Sequence, residues 1–143
     1  MDGKKGWLVL LAAFAGSMVF YAAIGVAIVG PREGRVAADV PAAVPVLLGV
    51  VSLAGSAAIA RVAAVPHNAA ARFRALAFLA AFVLDAAALA GVVLTVVMWR
   101  AWPVLLLAFT GVLGIAVFVL PASNEWYRAN ERGASARGPV SPS

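Results

Sequence analysis

Asp85 is the residue whose type and position most directly invite chemistry. It is the one charged residue in the apolar run from Ala75 to Met98, and it lies near the middle of that run. A charged aspartate at the centre of a membrane-spanning helix costs about 2.5–3.5 kcal/mol on insertion scales. A carboxyl kept at that depth can bind a proton or cation reversibly, or it can hydrogen-bond a neighbouring helix. No Lys or Arg falls at the same depth, because Arg61 and Arg100 flank their runs at opposite ends. The expected hydrogen-bond partners are therefore hydroxyls: Ser17, Tyr21, Ser52, Ser56 and Thr110. Helical spacing places Phe78, Ala81, Ala88, Leu89 and Val92 on the same face as Asp85.

The remaining chemical inventory is sparse. There are no cysteines, which excludes disulfides, thiolate metal sites and thiol nucleophiles. His67 is the only histidine, in a polar stretch beside Pro66 and Asn68, so no metal or haem site is expected and no cofactor is implied. No Ser-His-Asp set, glycine-rich phosphate loop or pair of catalytic acids can be assembled, and enzymatic activity is not expected. The net charge of +5 is scattered between apolar blocks and forms no basic patch, which argues against nucleic acid as a partner.

Hydropathy identifies the elements that must position Asp85. Of the 143 residues, 64% are hydrophobic and 12% charged, with a mean hydropathy of +1.00. A soluble domain carries roughly 25% charged residues, so the lipid bilayer is the expected solvent. Four apolar blocks, near the ~20 residues that span a ~30 Å hydrocarbon core, predict helices over about 7–29, 41–61, 75–98 and 101–120. The first stops at Gly30-Pro31, and the fourth is expected to stop at Pro121, since proline lacks the amide that continues a helix. Pro41 and Pro45 are acceptable in the opening turns of the second. The alternation of a membrane β-barrel is absent. Lys4-Lys5 before the first block could suggest a signal peptide, but the run of 23 residues is long and no good A-x-A site precedes Pro31.

The connecting stretches 30–40, 61–74 and Trp99-Arg100 are short, so neighbouring helices should be antiparallel. The expected fold is an all-α, four-helix transmembrane bundle over residues 1–122. A tail from 123 follows, disordered from about 133. Eight Lys and Arg (Lys4, Lys5, Arg61, Arg72, Arg74, Arg128, Arg132, Arg137) fall on one side, against Arg32, Arg35 and Arg100 on the other. The positive-inside rule then puts both termini in the cytoplasm. Trp7, Trp99, Trp102, Trp126 and Tyr127 fall at block ends, as an aromatic belt would. The Ala-, Val- and Arg-rich composition points to a bacterial inner (plasma) membrane. Close helix packing is expected at Gly49 and Gly55, at Ala87, Gly91 and Thr95, which recur every four residues, and at Gly111 and Gly114.

The stretch Asp85-Ala86-Ala87-Ala88-Leu89-Ala90-Gly91-Val92-Val93 resembles the carboxylate helix of rotary ATPase proteolipids, the c subunits. In that family an intramembrane acid is followed six residues later by glycine and then by branched apolar residues. The likeness covers residues 46–98, a hairpin with a basic loop and small residues on its first arm. GVVSLAGS stands where the family has alternating glycines, and the fourth helix has no acid. The resemblance implies Asp85 as a site of reversible protonation.

These features favour a non-enzymatic subunit or accessory component of a larger membrane complex, associated with other membrane subunits or with itself. The alternative is a proton- or cation-handling, proteolipid-like protein built on Asp85. A small-molecule transporter is a further alternative, although the first helix lacks the acid that compact exporters carry there.

Overall fold

The computed structural model describes residues 3–30, 38–65 and 68–136; Arg32, Glu33, Arg35, His67 and Arg137 lie outside them. Among the described residues every regular element is helical: α1 (Gly3–Val29), α2 (Ala43–Ala63), α3 (Ala70–Met98) and α4 (Trp102–Gly114). A single π-helical turn (Ile115–Val119) then leads into α5 (Leu120–Ala136). Four helices are long and apolar enough to cross a membrane, the last running unbroken from Trp102 to Gly133. The chain is an all-α, multi-pass membrane protein. Its helices run past the apolar blocks. α3 has 29 residues, about 43 Å of rise against a ~30 Å core, and its surplus first turns hold Arg72 and Arg74.

Neighbouring helices alternate in direction, so α1 and α3 run the same way. α4 touches α1, α2 and α3 in turn, and small residues set those approaches. A methyl on Gly25 of α1 would come within 2.5 Å of Val104 Cγ1, and one on Gly91 of α3 within 3.1 Å of the Val104 Cα. Gly111 faces the Met18 sulfur and the Leu84 carbonyl, Gly114 faces Leu84 and Leu53, and Gly49 faces Leu107 and Thr110. Without a hydrophobic drive between helices in lipid, such close backbone contact is the main source of association. Ala87 is buried as well. Gly55 is an exception to the expected packing: a Cβ there would meet nothing within 4 Å. It lines an open groove between α2 and α3 instead.

The fourth span does not stop at Pro121. A proline ring collides with the carbonyl four residues back, here that of Val117, and supplies no N–H. Just upstream the helix widens into the π turn, where the Leu120 N–H bonds to the Ile115 carbonyl, five residues back. A wider turn of this kind is a way for a helix to relieve that collision. The helix therefore absorbs the proline and continues, so residues 123–136 are helical rather than a loose tail, including the start of the stretch expected to be disordered.

What holds α5 in place is an aromatic cluster at the end of the bundle where the chain begins. Phe73, wholly buried at the start of α3, stacks on Trp126 with ring centroids 4.3 Å apart. Trp7 lies 5.9 Å from Phe73 and Tyr127 5.8 Å from it. Each polar edge has a partner. The Trp7 indole donates to Ser123 Oγ at 2.9 Å, Ser123 donates to the Val119 carbonyl at 2.7 Å, and the Trp126 indole donates to the Asn68 carbonyl at 3.3 Å. Tyr127 Oη donates to the Gly3 carbonyl at 3.2 Å. Trp7 and Trp126 are thus buried anchors (each 6% exposed) rather than members of an outward-facing belt.

The opposite end is closed by the turn between α3 and α4. Trp99 sits at φ 53°, in the left-handed region, and its N–H and that of Arg100 both reach the Thr95 carbonyl. The Thr95 hydroxyl accepts the Val104 N–H at 3.0 Å, capping the first turn of α4 from the neighbouring helix. Replacing Thr95 with Val keeps the shape and removes that acceptor. It should cost about 0.5–2 kcal/mol, as for a lost helix cap, measured by unfolding in detergent. Phe73→Ala, which empties the aromatic cluster, should cost more, about 3–5 kcal/mol.

Candidate functional site

Asp85 lies one residue past the midpoint of α3. The described turn of α3 faces two neighbours: Phe82, Val83, Ala86 and Ala90 look onto the α2 groove, while Asp85 looks toward α1. Of its expected face, Ala81 and Ala88 are fully buried, whereas Phe78 and Leu89 are 44% and 50% exposed. The carboxyl therefore sits where the packed stripe meets the lipid-facing side, and it is half-buried.

Ser17 is the partner. Its hydroxyl lies 2.6 Å from Asp85 Oδ1 and 2.7 Å from the Phe14 carbonyl, one turn back on α1. Phe14 in turn meets Phe78 edge-on at 5.4 Å, beside the pair on the side of the chain start. The parallel course of α1 and α3 explains the match in depth: from the Trp7–Phe73 contact, Ser17 and Asp85 lie at comparable heights along their helices. None of the other four hydroxyls bonds to Asp85. Ser52 donates to the Leu48 carbonyl of its own helix, and Ser56 is buried without a partner among the described residues. Thr110 packs beside Gly49, and Tyr21 packs against the core. The reason is rotational: α2 and α4 meet other faces of α3.

The Ser17 hydroxyl is within donating distance of two acceptors, Asp85 Oδ1 and the Phe14 carbonyl. Asp85 Oδ2 has no hydrogen-bond partner among the described residues. Asp85 belongs to the wall of an open cavity of about 260 Å³ between α1 and α3, with Leu10, Ala13, Phe14 and Ser17. A buried interhelical hydrogen bond in a membrane protein averages ~0.6 kcal/mol and reaches ~1.7. That does not offset the ~2.5–3.5 kcal/mol cost of a charged aspartate at this depth.

No three of His, Cys, Asp and Glu come together among the described residues, so the chemistry open to this site is that of a single carboxyl and one hydroxyl. Two features had no counterpart in the sequence reading. One is Gly25, where α1 approaches α4, a lone glycine without a repeat to mark it. The other is the lateral opening beside Asp85, which depends on how far α1 stands from α3.

No protein-family model, curated protein or solved structure matches this chain.

The Ser17–Asp85 pair can be weighed by a double-mutant cycle of Ser17→Ala and Asp85→Leu, read by unfolding in detergent. A coupling energy of about 0.6–1.7 kcal/mol is expected. A coupling indistinguishable from zero would mean that the two groups do not hold α1 against α3.

Proposed function

We propose that this chain is a small non-enzymatic subunit or accessory component of a larger membrane complex, with Asp85 as the polar group through which it meets its partner. The observation carrying this reading is the unpaired Oδ2 of Asp85, placed on the outer flank of the bundle at mid-span rather than among the four helices. A carboxyl that served only to tie α1 to α3 would gain from full enclosure. One turned to the side exposes an acceptor that a polar group on another helix can satisfy. The short connections and the lack of convergent polar groups fit a role in assembly better than one in catalysis. The charge asymmetry supports a bacterial plasma membrane with both termini in the cytoplasm. There the aromatic cluster and α5 would form the cytoplasmic face.

A second reading, reversible proton or cation binding at Asp85, is favoured by the Ser17 arrangement. The Ser17 hydroxyl, 2.6 Å from Asp85 Oδ1, can both donate and accept, so it can serve the carboxyl with or without a proton. This is also what the likeness to the proteolipid hairpin implies.

The two readings separate experimentally. A photo-crosslinking residue at Ala13, beside Asp85, should give a membrane-protein adduct in native membranes, and Asp85→Leu should reduce it severalfold. The same probe at Val50, on the outward face of α2, should give none. A chain that stays a lone monomer in mild detergent, with equal adducts at both positions, would argue against the subunit reading. For the second reading, carbodiimide should label the wild-type chain and not Asp85→Asn, and ion flux in vesicles should fall with the same substitution. Unchanged labelling and flux would remove it.

A further inference from the structure

A second cavity adjoins the one at Asp85. It has a volume of about 490 Å³, lies between the first turns of α1 and α3, and is walled by Gly6, Trp7, Leu10, Ala75 and Phe78, with Arg74 at its rim. Leu10 belongs to both cavities, so the two adjoin and together form a groove along the α1–α3 flank. From Arg74 to Asp85 the groove runs about 16 Å along α3 at 1.5 Å per residue, which is half of a ~30 Å hydrocarbon core. It therefore has the length of one leaflet. Its walls are apolar and aromatic throughout, up to the carboxyl at the far end.

The cation at the mouth, the exposed Arg74, lies against the first turn of α1. The Arg74 guanidinium rests over Gly3 so closely that a methyl on that glycine would lie 2.7 Å from Nη2. Among the described residues no carboxylate or carbonyl pairs with it. A guanidinium with no partner among the described residues, above an apolar slot one leaflet long, is complementary to one molecule: a phospholipid with an anionic headgroup. Arginine suits a phosphate particularly well, because its planar fork can donate two hydrogen bonds at once.

We propose that the α1–α3 groove binds an anionic phospholipid lengthwise, its phosphate on Arg74 and one acyl chain running past Trp7, Leu10 and Phe78 toward Asp85. The bound chain covers the mid-span opening from the side of the chain start. This goes beyond the assignment of Asp85 and holds whether or not a partner meets that carboxyl.

The test uses the full chain in mild detergent, stripped of lipid and then given phosphatidylglycerol or phosphatidylcholine. Retained lipid is counted by native mass spectrometry. The wild-type chain should retain phosphatidylglycerol in preference to phosphatidylcholine, and excess inorganic phosphate should not displace it. Arg74→Gln should lower retention about tenfold, the loss expected for one charge-assisted hydrogen bond. Arg72→Gln, which removes an exposed arginine that lines neither cavity, should leave it unchanged. Ala75→Phe, which fills the groove without touching a charge, should lower it as well. Tryptophan fluorescence on heating shows that each variant is folded. Equal retention of the two lipids would overturn the proposal. So would equal effects of Arg74→Gln and Arg72→Gln, undiminished binding in folded Ala75→Phe, or displacement by free phosphate.

Discussion

Inside a hydrocarbon layer no water is present to accept or donate a hydrogen bond, so every polar group within the spans must find its partner in the protein. That one constraint accounts for most of the polar contacts in this chain. Thr95 lends its hydroxyl to an amide at the start of the next helix. Ser123 stands between the Trp7 indole and the Val119 carbonyl, accepting from one and donating to the other. Asn68, at the end of the loop before α3, gives its side-chain amide to the Val62 and Ala63 carbonyls at the end of α2 and its own carbonyl to Trp126. These residues are few, and each closes a helix end or a helix contact that lipid could not serve. Ser56 and Asp85 are the departures within the spans, the first buried without a partner among the described residues and the second served on one oxygen and open on the other.

The same solvent changes what packing means. Lipid tails are as apolar as leucine, so burial of bulky side chains does little to draw helices together. The bundle relies instead on close backbone approach, with Gly25, Gly49, Gly91, Gly111 and Gly114 turned toward α4 or toward its neighbours. Large hydrophobic side chains such as Val19, Phe20, Val51 and Phe109, each more than 60% exposed, face outward. In water they would mark an interaction surface. Here they are the ordinary contact with the bilayer.

How much of this was legible before the fold follows from which physical signals are one-dimensional. Hydropathy over a 20-residue window is such a signal, and it located all four spans. Depth is another: Asp85 belongs at mid-span because the residues on either side can be counted. Rotation about a helix axis is not. Ser17, Ser52 and Ser56 were equal candidates for Asp85 because an apolar helix in lipid has no polar face to show which side looks inward. Only the placement of α1 and α2 on different sides of α3 selects Ser17. Pro121 misled for a related reason. Its rule assumes a regular α-helix on its upstream side, and the five-residue spacing at Leu120 lifts that assumption. Trp7 and Trp126 were read from their position at block ends, which is the same whether an indole faces headgroups or stacks inside a cluster.

The π turn has a mechanical consequence for the last helix. A π turn holds one residue more than an α turn, and one residue corresponds to about 100° of rotation. If the turn tightened to regular α-helix, everything beyond it would swing round like a crank. Trp126 would leave Phe73, and Ser123 would leave Trp7. The stacked rings at one end and the wide turn before them are therefore two halves of a single ratchet. As long as the rings stay engaged, the helical phase of the span is fixed relative to the segment that projects from the bundle.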